Sequence, residues 1–277
     1  MKSKTTLNIS GQILELSTPK VMGIINATPD SFYSGSRKET VSSMLIQAKK
    51  MIDEGATFLD IGGYSSRPGA DDIPVEEELR RVIEPISEIK RQFPSAIISI
   101  DTFRAKVARS AVEAGAGMIN DISAGQLDPR IFEVAGDLKV PYIAMHMRGT
   151  PQTMKNLTHY EDLMKEIAQY FAKTQHECAQ AGIKDLIIDP GFGFAKDVQQ
   201  NFELLNALDH LQILKLPILV GLSRKSMIYK TLKITADEAL NGTSVLNALA
   251  LLKGANILRV HDVKEAVEVI RLLEKLN

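Results

Sequence analysis

The sequence predicts an α/β fold: a (β/α)₈ barrel, known as a TIM barrel, preceded by a short β-hairpin. Three observations support this prediction. Eight short apolar runs each end in a polar residue or glycine, each run is followed by a segment with helical periodicity, and the 277 residues lie near the roughly 250 typical of such barrels. Runs this apolar have no solvated face, so they belong in a parallel sheet covered by helices. We expect a single domain spanning residues 1–277.

The first half of the chain contributes the hairpin and five strand–helix units. Residues 6–16 alternate around Ser10-Gly11-Gln12, a pattern that predicts the hairpin. Gly55 and Gly115 follow two of the helical segments and mark their ends. The predicted strands are 21–25, 58–61, 97–100, 117–119 and 142–145, and the helices are about 40–54, 74–93, 104–114, 129–136 and 160–181.

The second half repeats the pattern with three further units. Its opening strand is typical: an apolar run rich in β-branched residues stops at Asp189, and Pro190 and Gly191 then end the strand and open a tight loop. A single Asp-Pro pair could merely start a turn, but its repetition in a series of similar units favours a functional interpretation. The predicted strands are 186–188, 217–220 and 257–261, and the helical segments are about 198–208, 236–253 and 263–276.

Composition excludes several functional classes. The chain has 33 Lys and Arg against 34 Asp and Glu, so its net charge gives no reason to expect nucleic acid or an anionic membrane as a partner. Cys178 is the single cysteine, which excludes an internal disulfide and a Cys-rich metal site and agrees with a reducing compartment. No apolar run reaches the roughly 18–20 residues of a membrane span, and no signal peptide is evident. We expect a cytoplasmic protein.

Polar side chains collect at the predicted strand ends. In (β/α)₈ barrels the active site lies where the strands end. One polar residue there could serve a turn, but a series that mixes acids, amides and cations indicates a site for a polar and partly anionic ligand. The strand-end residues are Asn26, Asp60, Asp101, Asn120, His146, Asp189, Lys225, Arg259 and His261.

Two glycine-containing motifs do not fit the nucleotide-binding patterns that they approach. In residues 191–196, Lys196 occupies the place of the third glycine of a dinucleotide fingerprint. In residues 221–226, Arg224 replaces the glycine that a phosphate-binding loop requires before its lysine. The sequence therefore favours neither a Rossmann fold nor a P-loop.

Taken together, the motifs resemble those of the dihydropteroate synthases. The resemblance runs from the first barrel strand to the last and covers nearly the whole chain. It departs from the family at Tyr64, where Glu is usual, at Ser66, where Thr is usual, and at residues 32–35. The matching segments are 23–32, 60–63, 65–69, 99–102, 119–122, 145–147, 149–151, 189–191, 193–194, 221–226 and 259–262.

The resemblance implies an activity. The family joins 6-hydroxymethyl-7,8-dihydropterin pyrophosphate to p-aminobenzoate, forming 7,8-dihydropteroate and releasing pyrophosphate. The implied reaction is SN1-like and uses Mg²⁺: pyrophosphate leaves first and the neutral arylamine attacks a ring-stabilised cation. The implied substrates are these two small molecules, and sulfonamides are expected to mimic p-aminobenzoate.

The resemblance also implies residue roles that agree with side-chain chemistry. Carboxylates and amides suit the amine and N–H edge of a pterin, and the guanidinium fork suits pyrophosphate. The implied catalytic residues are Asp101, Lys225, Arg259 and His261. The implied pterin site comprises Asp101, Asn120, Met145, Asp189 and Lys225. The pyrophosphate site comprises Asn26, Ser66, Arg67, Arg259 and His261, with Asn26 as the single protein ligand of Mg²⁺. The p-aminobenzoate site comprises Thr28, Phe32, Pro68, Phe194 and Ser226.

Other interpretations of these residues stay open. Taken singly, Asp101 and Asn120 could cap helices, Lys225 could be a solvated charge and His261 a core histidine. A pterin-binding methyltransferase barrel would share the strand-end Asp and Asn residues, although it has no need for the motifs at 28–32 and 223–226. A non-catalytic pterin-binding relative would be expected to lose residues of the anion site, and none is lost. His159, His176 and His210 are expected at the surface.

Two further expectations concern loops and assembly. The loops 27–38 and 63–73 are rich in Ser, Gly and Pro and are expected to act as mobile lids. Residues 244–255 are apolar nearly all round, and Val263, Val267, Ile270 and Leu273 add an apolar stripe. This is more apolar surface than one barrel wall requires, so we expect a homodimer.

Overall fold

Eight parallel strands form a barrel in the computed structural model of the protein, which describes residues 5–27, 37–65 and 72–276. A two-stranded hairpin precedes them, and helices alternate with the strands. The strands are β1 (Thr6–Ile9), β2 (Gln12–Glu15), β3 (Lys20–Asn26), β4 (Phe58–Gly62), β5 (Ile97–Asp101), β6 (Met118–Asp121), β7 (Tyr142–Met145), β8 (Leu186–Asp189), β9 (Leu219–Val220) and β10 (Ile257–Val260). The predicted fold is confirmed.

The helices follow the predicted segments with small differences at their ends. The α-helices are α1 (Arg37–Asp53), α2 (Val75–Gln92), α3 (Ala105–Glu113), α4 (Arg130–Leu138), α5 (Leu163–Gln180), α6 (Val198–Asn206), α7 (Ser226–Leu232), α8 (Leu240–Leu252) and α9 (Val263–Leu273), with 3₁₀ turns at Met154–Asn156 and Leu208–Leu214. Helix α5 begins later than predicted because the side chain of Asp162 caps it by accepting from the backbone N of Lys165 at 3.0 Å. Among the helices described, none is long and apolar enough to cross a membrane.

The sheet closes on itself through a short seam. Its strands are ordered β8-β7-β6-β5-β4-β3-β10-β9, and β9 meets β8 through a parallel bridge between Ile188 and Ile218 and a bond from the Ile188 N–H to the Pro217 carbonyl. Strand β9 is shorter than the predicted 217–220, since Pro217 has no N–H to donate to a ladder.

The hairpin covers the end of the barrel where the strands begin. Ser10 and Gly11 adopt positive φ angles of 51° and 84°, as the two central residues of a tight hairpin turn require. Apolar side chains of the hairpin pack on the first inward-facing residues of the barrel strands. This cluster comprises Leu7, Ile9, Leu16, Met22, Phe58, Met118, Ile143, Ile187, Leu219 and Ile257. Because inward positions recur every second residue, the next layer along the strands holds Asp60, Ser99, Asn120, Asp189 and Arg259. The inward-facing layer that follows the apolar cluster, toward the carboxyl ends of the strands, is therefore largely polar.

The apolar surface of the last two helices differs from the prediction. Val263 and Ile270 are buried against the barrel, and Val267 packs on the same core, so the predicted stripe of α9 is used within the chain. Helix α8 instead carries exposed apolar side chains at a helical spacing of four and three, on the face opposite its buried residues. These exposed residues are Val245, Leu249 and Leu252, joined beside them by Leu272 and Leu276.

Candidate active site

A chain of charged side chains crosses the barrel at the carboxyl ends of β4, β5 and β10. Arg259 donates through Nε to Oδ2 of Asp60 at 2.6 Å and through Nη2 to Oδ2 of Asp101 at 2.7 Å. Asp60 is fully buried, and the side chain of Asp101 is 16% exposed. Both contacts are charge-assisted hydrogen bonds, the stronger class in proteins, so they fix the arginine between two carboxylates.

Asn120 joins this chain from β6. Its Nδ2 donates to the same Oδ2 of Asp60 at 2.9 Å, within the buried part of the barrel. Helix capping by Asp101 or Asn120 is excluded, because the N-cap positions of α3 and α4 are Arg104 and Pro129 and neither has a side-chain cap bond. The strand-end residues Asp101, Asn120 and Arg259 thus meet inside the barrel, as predicted from their positions.

Burial dominates the electrostatics of Asp101. Removal from water raises its pKa to about 7, although the positive charge of Arg259 opposes the rise, and the negative charges of Asp60, Glu78 and Asp121 add to it. A carboxyl in this position can gain or lose its proton near neutral pH.

Asp189 shapes a turn and also faces positive charges. Its Oδ1 accepts from the N–H of Gly191 at 2.8 Å, and Gly191 has a positive φ of 71° with no room for a Cβ beside the carbonyl of His146, which explains the Asp-Pro-Gly sequence. Burial raises the pKa of Asp189, while the charges of Lys225, Arg259 and Lys196 oppose that rise. The turn interpretation is therefore correct but incomplete.

Lys225 and Phe194 form one wall of the mouth. The Nζ of Lys225 lies 4.5 Å from the centroid of the Phe194 ring, within the range of a cation–π contact. Phe194 belongs to an apolar cluster with Ile122, Met145 and Met147. Ser226 follows Lys225 directly and is the first residue of α7, a helix that the strand–helix count from the sequence did not include.

His261 directly follows β10 and contacts the loop after β9. Its Nδ1 and the hydroxyl of Ser223 are 3.0 Å apart, and its backbone N–H donates to the same hydroxyl. His261 keeps an exposed surface, so it is not a core histidine. Partial removal of its ring from water and the charge of Arg259 lower its pKa. Arg224 donates two hydrogen bonds of 2.9 Å to the carboxylate of Asp262. These bonds connect the loops after β9 and β10.

Lys196 and His146 form a buried pair; the sequence placed His146 among the strand-end residues but assigned no role to Lys196. Lys196 donates from Nζ to the Nδ1 of His146 and to the carbonyls of Gly191 and Phe194, each at 3.0 Å. Burial lowers the pKa of His146 well below its usual value, so its ring is neutral and Nδ1 can accept. Burial also lowers the pKa of Lys196 to about 7. Lys196 fastens the loop that carries Phe194. The sequence signal was its unexpected place in a glycine-rich loop.

Tyr64, the first departure from the family pattern, packs on the loop after β5. Its ring lies edge-on to Phe103, with centroids 5.0 Å apart, and the Arg104 guanidinium is 5.2 Å from its centroid. Arg104 also donates to the buried Glu78 at 2.9 Å, and Glu78 accepts from the Thr102 hydroxyl at 2.6 Å. Glu78 therefore anchors this side of the mouth.

Asn26 ends β3 in register with Gly62 of β4 and is partly exposed. Its amide oxygen is the kind of hard donor that Mg²⁺ takes. Within residues 5–27, 37–65 and 72–276, no three or more His, Cys, Asp or Glu side chains group as metal ligands. Asn26 therefore fits an ion that takes a single oxygen from the protein, as Mg²⁺ can.

Five predicted site residues lie outside the described part of the chain: Thr28, Phe32, Ser66, Arg67 and Pro68. Most of the two predicted lid loops lies there as well. His159, His176 and His210 are exposed, as predicted.

Comparison with known proteins gives a consistent result. The model of a family described as pterin binding enzyme matches residues 22–261. The chain is 43% identical to the dihydropteroate synthase of Escherichia coli K12 over 95% of its own length and 94% of that protein. It is also similar to solved structures of a Xanthomonas albilineans dihydropteroate synthase. The structure with 4-aminobenzoic acid has a TM-score of 0.92 and 41% identity, and the match covers 99% of this chain and 98% of that chain. The structure in complex with 7,8-dihydropteroate has a TM-score of 0.88 and 39% identity, and the match covers 98% of each chain.

Proposed function

The chain belongs to the dihydropteroate synthase family of pterin-binding enzymes, and on this premise we propose that its strand-end residues carry out the reaction of that family. The reaction joins 6-hydroxymethyl-7,8-dihydropterin pyrophosphate to p-aminobenzoate and releases pyrophosphate. The observation that carries the residue assignment is the convergence of Asp101, Asn120, Asp189 and Arg259 from four separate strands at one end of the barrel.

The pterin occupies the deep end of this site. Asp101, Asn120 and Asp189 offer acceptors to its amine and ring N–H groups. Met145 belongs to the apolar cluster with Phe194 and packs against the ring. Lys225 supplies a donor for the ring carbonyl at the border between the two substrates.

The pyrophosphate lies toward the mouth, where cations collect. Arg259 on β10 and His261 directly after it bind the pyrophosphate, and the family resemblance adds Ser66 and Arg67. Asn26 would hold Mg²⁺ beside the pyrophosphate. When bound, the ion would supply positive charge that stabilises the leaving group.

The chemistry requires no protein nucleophile. As pyrophosphate leaves, the bond from the pterin methylene to oxygen breaks and its electron pair goes to the pyrophosphate, so the methylene and ring become cationic. Arg259 stabilises the leaving anion, while the carboxylate of Asp101, ionised above its pKa of about 7, stabilises the cation. The arylamine of p-aminobenzoate then attacks and loses a proton to give 7,8-dihydropteroate.

The p-aminobenzoate pocket combines fixed and loop residues. Phe194 is buried and held by Lys196 through the Phe194 carbonyl, and Ser226 opens α7 beside it. The family resemblance adds Thr28, Phe32 and Pro68 to this pocket. These residues stand close in sequence to Asn26 and Arg67 of the anion site, so we expect the anion and p-aminobenzoate to bind in order.

The proposed reaction is tested by mixing both substrates with Mg²⁺ and measuring pyrophosphate and 7,8-dihydropteroate together. We expect equal amounts of the two products. Lys225→Met should lose most of this activity, whereas Lys230→Met, which changes an exposed lysine one turn along α7, should keep it. Pyrophosphate release without dihydropteroate, or no release at all, would contradict the proposal.

We also propose that the protein is a homodimer. Val245, Leu249, Leu252, Leu272 and Leu276 are each between 45% and 75% exposed and lie together on α8 and at the end of α9. Apolar side chains that are collected on one face, rather than scattered singly, indicate an interface. A two-fold axis passing close to α8 would bury this face against its own copy.

A further inference from the structure

We propose that Asp60 is a positioning residue for the reaction, because it dictates which way the amide of Asn120 and the guanidinium of Arg259 face. This inference rests on the proposed function, since both partners belong to the proposed substrate site. Asp60 itself reaches the substrates only through them. Its effect is to make the deep end of the pocket a surface of hydrogen-bond acceptors.

The geometry around Asp60 is unusually constrained. Its Oδ2 receives both the Nε of Arg259 at 2.6 Å and the Nδ2 of Asn120 at 2.9 Å. Its Oδ1 is buried and has no hydrogen-bond partner among the residues described. The side chain is fully buried on β4, whose backbone is paired with β3 on one side and β5 on the other. Asp60 therefore has a fixed place and acts on its two partners through a single oxygen.

For Asn120 the consequence is a defined amide orientation. An ionised carboxylate can only accept hydrogen bonds, so the amide must turn its NH₂ group toward Asp60. Its Oδ1 then faces away from Asp60 and is the atom offered to a ligand. Together with the carboxylates of Asp101 and Asp189, this gives three acceptors and no competing donor from those side chains. The rotated amide would set its oxygen against the carboxylate and leave Asp60 without this donor.

For Arg259 the consequence is a fixed plane. Arg259 donates from Nε to Asp60 and from Nη2 to Asp101. These two bonds use two of the five N–H groups of the guanidinium. The plane cannot turn without breaking one of these bonds. Asp60 thereby links the orientation of the pyrophosphate-binding cation to that of the pterin-binding amide.

Ligand selectivity tests this role without requiring turnover. 6-Hydroxymethyllumazine carries a carbonyl where 6-hydroxymethylpterin carries an amine, so it presents an acceptor to the acceptor-lined pocket. We expect the natural enzyme to prefer the pterin in calorimetry, and Asp60→Leu, which has a similar shape but no acceptor, to reduce that preference at least about tenfold because Asn120 can then rotate. Ser99→Ala is the matched control: Ser99 is the buried register partner of Asp60, and its hydroxyl has no partner in the described structure. It should leave the preference unchanged.

A double-mutant cycle tests the pairing itself. Asp60→Leu and Asn120→Leu should each lower kcat/KM for the pterin substrate by at least about thirtyfold, because the first removes the acceptor that orients Asn120 and the second removes the amide. Once the amide is gone, Asp60 has no group to orient at position 120, so kcat/KM of the double variant should be at least about tenfold higher than the product of the single effects predicts. Asp60→Asn is the conservative variant: it keeps one oxygen that can accept from both Arg259 and Asn120, so it should keep the pterin preference.

The inference would be overturned by additive effects in the cycle, or by equal losses of pterin and lumazine binding in Asp60→Leu. If Asp60→Leu does not fold, Asp60→Asn decides the matter, because a folded Asp60→Asn that has lost the pterin preference contradicts the role. Failure of the proposed function would look different: the unaltered protein would form no dihydropteroate, while the selectivity measurement could still be made.

Discussion

Asp101→Asn separates the charge of this carboxyl from its shape. The substitution keeps the size of the side chain and an oxygen that can accept a hydrogen bond. It removes the negative charge that lies 2.7 Å from Nη2 of Arg259 and leaves Arg259 paired with Asp60 alone. If the charge stabilises a cationic pterin, the loss should fall mainly on the transition state, because only there is the ring cationic.

The magnitude follows from Coulomb's law. Two unit charges about 5 Å apart at an effective dielectric constant of about 20 interact by ~3 kcal/mol, which corresponds to roughly 200-fold in rate. The adjacent Arg259 cancels part of this field, so we expect kcat to fall about 30- to 100-fold. Pterin affinity should change by less than about tenfold, since the acceptor remains.

The assay combines single-turnover kinetics with calorimetry of pterin binding, and pH adds a second check. Because burial raises the pKa of Asp101 to about 7, the carboxylate form is lost as pH falls through 7, and kcat/KM of the natural enzyme should fall with it. In Asp101→Asn this acidic limb should be absent. Equal losses in binding and turnover, or an unchanged acidic limb, would refute the charge argument and leave a positioning role.

Three other predictions follow from the fold and the site. Lys196→Met should lower the free energy of unfolding by ~2–4 kcal/mol in denaturant titrations, because it strands the buried acceptors around Nζ, and Lys230→Met should change it little. In calorimetry, p-aminobenzoate or a sulfonamide should bind weakly until pyrophosphate and Mg²⁺ are present, since a small ligand has few contacts to offset loop ordering; similar affinity in both titrations would indicate a preformed pocket. Light scattering at micromolar concentration should give a dimer for the natural protein and for Ile46→Glu, which alters an exposed apolar residue on α1, but a monomer for Leu249→Glu. A monomeric natural protein would contradict the proposed interface.

The sequence was sufficient to locate the candidate site because parallel strands in a barrel bring their ends together. Asp101, Asn120 and Asp189 could be assigned to one end of the barrel from the position at which each apolar run stops, and Arg259 from its place in the last strand. The side-chain contacts among these residues could not be predicted, because they depend on which strands become neighbours when the sheet closes. Arg259 and Asp60 are 199 residues apart in sequence and meet because β10 and β4 both flank β3.

Other features were missed because periodicity does not report burial. Lys196 reads as a loop lysine, yet it is buried with three acceptors around its ammonium group. The apolar stripe of α9 was expected at an interface together with residues 244–255, but Val263 and Ile270 pack on the barrel, whereas Val245, Leu249 and Leu252 within 244–255 are exposed. In both cases the side chain's neighbours, which only the folded chain defines, decide its role.

The roles proposed for Asp101 and Arg259 depend on pyrophosphate leaving before the amine attacks. The most direct measurement is the secondary deuterium isotope effect at the pterin methylene, taken in single turnover so that chemistry is observed. If a cation forms first, the methylene carbon changes from tetrahedral to planar before attack, and we predict a normal isotope effect, with the protiated substrate reacting faster. The absence of an isotope effect would mean that the amine enters as pyrophosphate departs, and would contradict a mechanism built on stabilising the cation.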